Sequence, residues 1–256
     1  MKIATWNVNS LRVRLPQVLD WLDSVQPGVL AVQETKLTDD AFPVEALRAV
    51  GYHAVYSGQK TYNGVAVLSR APVEDVLTDP PNLDDPQRRI LAVTAGPLRI
   101  INLYVPNGSE VGSDKYAYKL DWLAKVRDFI AEEMAAHPHT VVLGDFNIAP
   151  EDRDVHDPES WREKILCSTP ERDAFRALAG LGLSDLFRRF EQPEGSFSWW
   201  DYRAAGFRRN LGLRIDHILA SLPLAGRCTA CSIDKTPRSL ERPSDHAPVV
   251  AEFDGF

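Results

Sequence analysis

Six stretches of this chain carry an apolar run into side chains able to act on a charged substrate. IATW leads to Asn7 and Asn9, VLAVQ to Glu34 and Lys36, and INL to Tyr104 and Asn107. VVLG leads to Asp145 and Asn147, and LRI to Asp216 and His217. The stretch ERPSDHAPVV sets Asp245 beside His246 just ahead of the last apolar run. Each has an ordinary reading alone: an Asn in a turn, a Glu in a surface ion pair, an Asp stopping a strand. Six together read otherwise, because strand ends gather along one edge of a layered domain, where loops on a rigid frame build binding sites. Burying so many acids without a cation or substrate would be costly.

The residue types select the chemistry. Carboxylates and carboxamides with few histidines suit a hard cation such as Mg²⁺, or Mn²⁺, rather than zinc. One or two carboxylates suffice for Mg²⁺, which makes Glu34 and Asp245 candidate ligands. A His–Asp pair, the amides, Tyr104 and Lys36 remain for positioning and charge neutralisation. That set matches phosphoester hydrolysis, in which a protein orients a water and stabilises developing negative charge. Acyl transfer fits poorly, since no G-x-S-x-G or similar nucleophile turn is present. In extended backbone Asp245 and His246 face opposite sides, so they serve different partners.

The positioning elements follow from periodicity. Strands are expected at IATWNV, VLAVQE, YHAVYS, GVAVLS, ILAVTA, LRIINLYV, TVVLGDFN, FSWWDY, LRIDHILAS and APVVAEF. A first helix over LPQVLDWL would use Leu15, Val18, Leu19 and Leu22, with Pro16 near its start. A second covers about 42–50 and stops at Gly51. The longest, SDKYAYKLDWLAKVRDFIAEEM, shows a face of Tyr116, Leu120, Leu123, Ile130 and Met134. A polar loop over 149–170 precedes a short helix at 171–180. Strands and helices intermix with no linker or repeat, so mixed sheets with helices outside are expected in one α/β domain spanning 1–256.

Composition sets the class. The chain is 44% hydrophobic and 25% charged, enough for a sizeable core. No apolar run approaches membrane-spanning length. A strand-like run begins at Lys2, leaving no room for a signal peptide, so a cytoplasmic protein without a membrane partner is expected. Three cysteines fit a reducing compartment. Cys228 and Cys231 form a C-x-x-C that lacks the second ligand pair of a zinc site.

A formal net charge of −7 argues against a nucleic-acid partner unless charge is segregated. Between 188 and 214 it is segregated. Arg188, Arg189, Arg203, Arg208, Arg209 and Arg214 outnumber Glu191, Glu194 and Asp201, with Phe197, Trp199, Trp200 and Tyr202 among them. Arginines can neutralise phosphates and aromatic faces can receive bases or sugars. The ordinary alternative is a core Trp pair under a solvated loop.

The motifs WNVNSLR, QETK, NGVAVLSR, YVPNG, GDFNIAP, GLRIDHIL and PSDHAPV occur in this order. In that order they resemble the exonuclease III, or class II abasic-site endonuclease, branch of the endonuclease/exonuclease/phosphatase superfamily, from Lys2 to about Phe253. The resemblance implies a four-layered α/β sandwich, two mixed β-sheets packed face to face with helices on the outside. It implies a metal-dependent DNA phosphodiester hydrolase of base excision repair: an abasic-site endonuclease, a 3′→5′ exonuclease and a 3′-phosphatase. The expected substrate is double-stranded DNA with abasic sites or 3′ ends, and the expected state is a monomer.

By the same resemblance, Glu34 holds the metal with Asn7 and Asp245 in the cluster. Asp145 orients or deprotonates the water, Asn147 and Asn107 contact the phosphate, and Tyr104 lies against it. His246 binds a phosphate oxygen and Asp216 orients its imidazole. Trp199, Leu213 and Ile215 fall on pocket-lining positions, and Arg203 in a loop inserted at the lesion. Arg12, Lys36 and Asn9 would serve near the backbone and the metal. Ser168, small and at the pocket mouth, would leave room for a flipped sugar. Rival readings are another phosphodiesterase of the superfamily, a nonspecific deoxyribonuclease or a lipid-directed enzyme, and a non-catalytic nucleic-acid-binding homologue. The number of metals and the identity of the general base stay open.

Overall fold

In the computed structural model, which describes residues 1–255, the continuous apolar runs become strands covered on both faces. The chain opens with a strand–helix–strand unit: β1 (Lys2–Asn7), α1 (Leu11–Val25) and β2 (Val29–Gln33). Next come α2 (Val44–Ala49), β3 (His53–Ser57) and β4 (Val65–Ser69). β5 (Glu74–Leu77) and β6 (Ile90–Ala95) lead to a second such unit, β7 (Leu98–Tyr104), α3 (Asp114–Ala136) and β8 (Thr140–Asp145). Then follow α4 (Pro158–Trp161), α5 (Thr169–Ala179), β9 (Leu183–Asp185), β10 (Trp199–Trp200) and β11 (Gly212–Leu213). β12 (Asp216–Ser221), α6 (Leu222–Ala225), β13 (Cys228–Ile233) and β14 (Val249–Phe253) complete it.

Two six-stranded mixed sheets result, ordered β13-β14-β1-β2-β4-β3 and β5-β6-β7-β8-β12-β9, with β10-β11 as a separate ribbon. Alternation along each strand divides its side chains between two cores. In β2, Val29 and Ala31 join the layer between the sheets, while Leu30 and Val32 join the α1 and α2 side. In β8, Val141 and Leu143 face the first sheet, and Val142 faces α3 and α5. The order is therefore helix, sheet, sheet, helix, the expected four layers. Asn102 crosses between the sheets, donating to Val32 O at 3.0 Å and Ala66 O at 2.9 Å.

Topology places the polar strand ends together. Each sheet holds one parallel pair, β1 with β2 and β7 with β8, so their C-termini reach the same edge. β14 runs antiparallel to β1 and β12 antiparallel to β8, so both begin where those strands end.

Several elements differ from expectation. α1 starts at Leu11, because Ser10 N–H and Leu11 N–H donate to Glu34 O and Thr35 O, and Pro16 lies inside the helix. The buried face of α3 keeps Tyr116, Leu123 and Ile130 of the expected face and adds Lys119, Trp122, Val126 and Phe129, leaving Leu120 and Met134 half-buried. FSWWDY contracts to the two residues of β10. The strands β5, β9 and β13 were not expected; EDVL is mostly exposed and LSD has three residues, so neither shows an apolar period.

Candidate active site

The rim is built in register. Tyr104 sits opposite Asp145 across β7 and β8, and Asp216 opposite Asp145 across β8 and β12, so three acidic or phenolic side chains line up. Gly144 before Asp145 adopts φ +144°, and a Cβ there would lie 1.9 Å from Leu103 O. Only glycine permits that approach of β8 to β7. Asn7, fully buried at the end of β1, donates to Glu34 Oε1 and to Asp145 Oδ2, each at 2.9 Å, and so joins the two sheets. Asp145 Oδ1 accepts the Asn147 N–H at 2.9 Å.

Backbone tension concentrates here. Asn9, Ser10, Glu34, Lys36 and Asn147 all hold positive φ, which costs about 1–2 kcal/mol per non-glycine residue. The gain is that the side chains of Asn9, Lys36 and Glu34 meet in one polar group.

The dipeptide Asp245–His246 is pinned by its neighbours. Ser244 Oγ donates to Asn7 O at 2.7 Å, Trp6 Nε1 to His246 O at 3.2 Å, and Trp200 N–H to Asp245 O at 3.0 Å. The two side chains diverge. His246 Nδ1 meets Asp216 Oδ2 at 2.9 Å, and its Nε2 stands 3.7 Å from Asp145 Oδ2. Asp245 instead accepts from Asn9 Nδ2 and Trp199 Nε1, each at 3.0 Å. Asn9 Oδ1 also receives Lys36 Nζ at 2.6 Å, and Lys36 is 3.0 Å from Glu34 Oε2, so the Asp245 and Glu34 groups share one network.

Charge follows from these contacts. Burial opposes a charge on His246, yet Asp216 and Asp145 outweigh it and lift its pKa to about 10. Burial raises Asp145 to about 7, against the pull of His246. Glu34 stays below the usual carboxylate range despite burial, because Lys36 and the Asn7 amide stabilise its anion. Burial, then Glu34 and Asp145, push Tyr104 well above the phenol range, and Arg89 stacks 4.6 Å over its ring. Ligand atoms of Glu34, Asp145 and His246 lie within 4.8 Å of one another, a cluster able to hold a cation. The two carboxylates suit a hard ion. His246, already protonated through Asp216, is better placed as a donor than as a ligand. Asp245 stands outside this trio.

The remaining candidates divide. Asn107 reaches the rim, its Nδ2 donating to Asn147 Oδ1 at 3.3 Å, and is otherwise exposed. Beside it opens a cleft of about 370 Å³ lined by Tyr62, Arg89, Asn107 and Lys115 among others. Arg12 is exposed on α1. Arg203 is exposed and, among the described residues, pairs with nearby Asp201. Trp199 is half-buried over Leu213 and Ile215, which are 0% and 1% exposed. They form a packed floor beneath Trp199 and not an open wall, because Ala149, Val155, Leu166 and Cys167 fill the space around them.

Ser168 corrects the expectation of a pocket mouth. It is fully buried, its hydroxyl donating to Glu171 Oε2 at 2.7 Å as the cap of α5. Of the six clustered arginines, two turn inward. Arg214 is buried against Asp154 and Asp185, and Arg188 also pairs with Asp154.

Three contributors escaped the sequence reading. Ser198 donates to Asp216 Oδ2 at 2.6 Å while accepting the Ile215 and Asp216 N–H groups, which fixes the carboxylate behind His246. Arg14 ties Asn9 O to Pro243 O and to the Tyr202 hydroxyl. Lys119 lies beneath the Asn107 and Asn147 loops. None carries a local signal, since each makes its tie across the site to residues remote in the chain: Asp216 for Ser198, Pro243 and Tyr202 for Arg14, and Asn147 for Lys119.

The profile of the Endonuclease/Exonuclease/phosphatase family matches residues 4–246. The chain is 37% identical to an exodeoxyribonuclease III of Haemophilus influenzae, over 99% of this chain and 100% of that one. A solved Neisseria structure described as a 3′ phosphatase bound to product DNA hairpin superposes with TM-score 0.98 at 52% identity, covering 100% of both chains. An AP endonuclease from Archaeoglobus fulgidus superposes with TM-score 0.96 at 39% identity, again over 100% of both.

Proposed function

The chain belongs to the endonuclease/exonuclease/phosphatase family and is a hydrolytic nuclease; we propose that it cleaves phosphodiester bonds of double-stranded DNA in base excision repair. It removes nucleotides and phosphates from 3′ ends and incises 5′ to abasic sites. The observation that carries the reading is the rim itself: two carboxylates bridged by Asn7, facing an imidazole held by a third.

Glu34, with Asn7 beside it, would hold Mg²⁺, or Mn²⁺ in its place, and Asp245 would support the site through Asn9. When bound, the ion supplies positive charge to the phosphoryl oxygens. The other steps belong to the chain. Asp145, near neutrality and fixed by Asn7 and Asn147, accepts the proton of the attacking water. The water oxygen bonds to phosphorus as the P–O bond to the leaving group breaks, and that oxygen takes up a proton from solvent. His246, charged through Asp216, donates to a non-bridging oxygen in a bond that strengthens as negative charge builds. Tyr104, Asn107 and Lys36 orient the phosphate. The cleft beside Asn107, with Arg89 and Lys115, accommodates the flanking strand.

The closed floor beneath Trp199 favours a second emphasis, in which work at 3′ ends outweighs abasic incision. Three free thiols fit a reducing compartment, and we assign the protein to the cytoplasm as a monomer working as one domain. Among the described residues no helix is long and apolar enough to cross a membrane.

The test compares a recessed 3′ end, a 3′-phosphate and an abasic duplex with Mg²⁺, Mn²⁺ or EDTA. Cleavage should require the metal. Asp145→Asn should lose about 10⁴-fold in kcat or more while still binding DNA. Cleavage that persists in EDTA, or in Asp145→Asn, would refute the assignment.

A further inference from the structure

We propose that Lys119 is a positioning residue for hydrolysis, clamping the backbones of the Asn107 and Asn147 loops from beneath, with Glu171 as its counter-charge. The proposal rests on the hydrolytic reading of the rim.

Lys119 and Glu171 are both fully buried, with side-chain exposures of 0% and 0%. The ammonium has three protons and three partners: Asn147 O at 2.7 Å, Asn107 O at 3.1 Å, and Glu171 Oε1. Two of these acceptors are main-chain carbonyls of residues whose side chains face the phosphate. Asn147 holds φ 48° and Gly108, next to Asn107, holds φ +89°, so neither loop follows a regular path. A Cβ at Gly108 would lie 3.0 Å from Lys119 Cδ and 2.9 Å from Ile165 Cδ1, so the Lys stem fills the space directly under that turn.

The counter-charge is fixed just as fully. Glu171 Oε1 accepts the Leu166 N–H at 3.1 Å, and Oε2 accepts the Ser168 N–H at 3.1 Å and hydroxyl at 2.7 Å. The Ser168 hydroxyl also meets Tyr116 OH at 2.7 Å. One buried ion pair thus joins α3, the start of α5, the 166–168 loop and both loops of the rim.

Burying a charge pair here is not needed for packing, since an apolar pair of similar volume is often as stable. What the ammonium provides and a methylene cannot is a fixed distance between two carbonyls. Through Asn147, whose N–H holds Asp145 Oδ1 at 2.9 Å, a slip of that carbonyl would move the carboxylate facing the water.

The experiment separates positioning from stability. Lys119→Met alone strands Glu171 and should lower the urea midpoint. The double variant Lys119→Met/Glu171→Gln removes both charges and should restore the midpoint toward wild type. Assayed with Mg²⁺ on a recessed 3′-end duplex, the folded double variant should lose about 100-fold in kcat, the scale of a misplaced reacting group, with KM within about threefold of wild type. Wild-type kcat in the folded double variant would overturn the clamp. If the double variant does not fold, Lys119→Gln, able to keep one carbonyl bond, should give an intermediate kcat, and undiminished kcat would overturn the clamp equally. Inactive wild type would refute the hydrolytic reading, whereas active wild type with an undiminished double variant refutes the clamp alone.

Discussion

His246 and His217 are both buried, and the carboxylate that grips one is the chain neighbour of the other, yet their surroundings drive them apart. Asp216 points to the rim and, with Asp145, lifts His246 to about 10. His217 points to the opposite face of β12. There burial, with Arg214 at 3.0 Å from Nδ1, lowers it to about 4, and its Nε2 donates to Ile148 O at 2.9 Å. Burial alone favours the neutral form in both places. At His246 two acids overcome burial and make an imidazolium fit to meet a phosphate; at His217 burial and a guanidinium prevail over Asp185 and Asp154 and leave a neutral strut. The His217 side, with Arg214, Asp154 and Asp185, anchors the floor of the site. The His246 side faces the chemistry.

The sharpest way to break the contrast is to remove what makes each histidine different. Asp216→Asn should lower kcat by about 10⁴-fold, the scale of losing the carboxylate that orients a catalytic imidazole, while a thermal scan finds it folded. Arg214→Met should do the reverse. It leaves Asp154 and Asp185 without their buried partner and should cost about 3–5 kcal/mol in urea unfolding, with kcat of the folded fraction much less affected.

Acidity sharpens the contrast next. A histidine whose folded pKa is depressed from 6.5 to about 4 withdraws stability as pH falls through that window, because only the unfolded chain takes up the proton. His246, raised to about 10, contributes stability that is full below pH 6.5 and lost as pH rises through 10. Wild type should therefore lose roughly 3 kcal/mol through His217 between pH 6.5 and 4. His217→Gln should flatten that part of the urea-stability profile; an unchanged slope would contradict the account. The smallest effect belongs to Arg203, exposed and paired with exposed-side Asp201. Arg203→Ala should leave the urea midpoint unchanged and act on DNA affinity at low salt alone.

The same contrast marks how far the sequence could be read. Residues that close an apolar strand, such as Asn7, Tyr104 and Asp145, announce themselves, because period and polarity change together at the end of the run. The strand ends also imply a common edge, and the parallel pairs provide one. What lies behind the edge was not legible. Arg214 and Arg188 were grouped with the exposed arginines, since a charge count does not show which side of a strand a residue faces. Ser168 read as a small residue at a mouth, although S-T-P-E is also a capping box, and the structure uses it as one. Ser198, Arg14 and Lys119 act on residues 18, 229 and 28 positions away, so only the folded topology brings them to their partners.

Nitrogen-detected NMR of the histidine rings in the EDTA-treated protein at pH 8 reads the two protonation states side by side. His246 should be doubly protonated and His217 neutral in the same sample. A neutral His246 there, with Asp216 still beside it, would contradict the account of how this rim meets a phosphate.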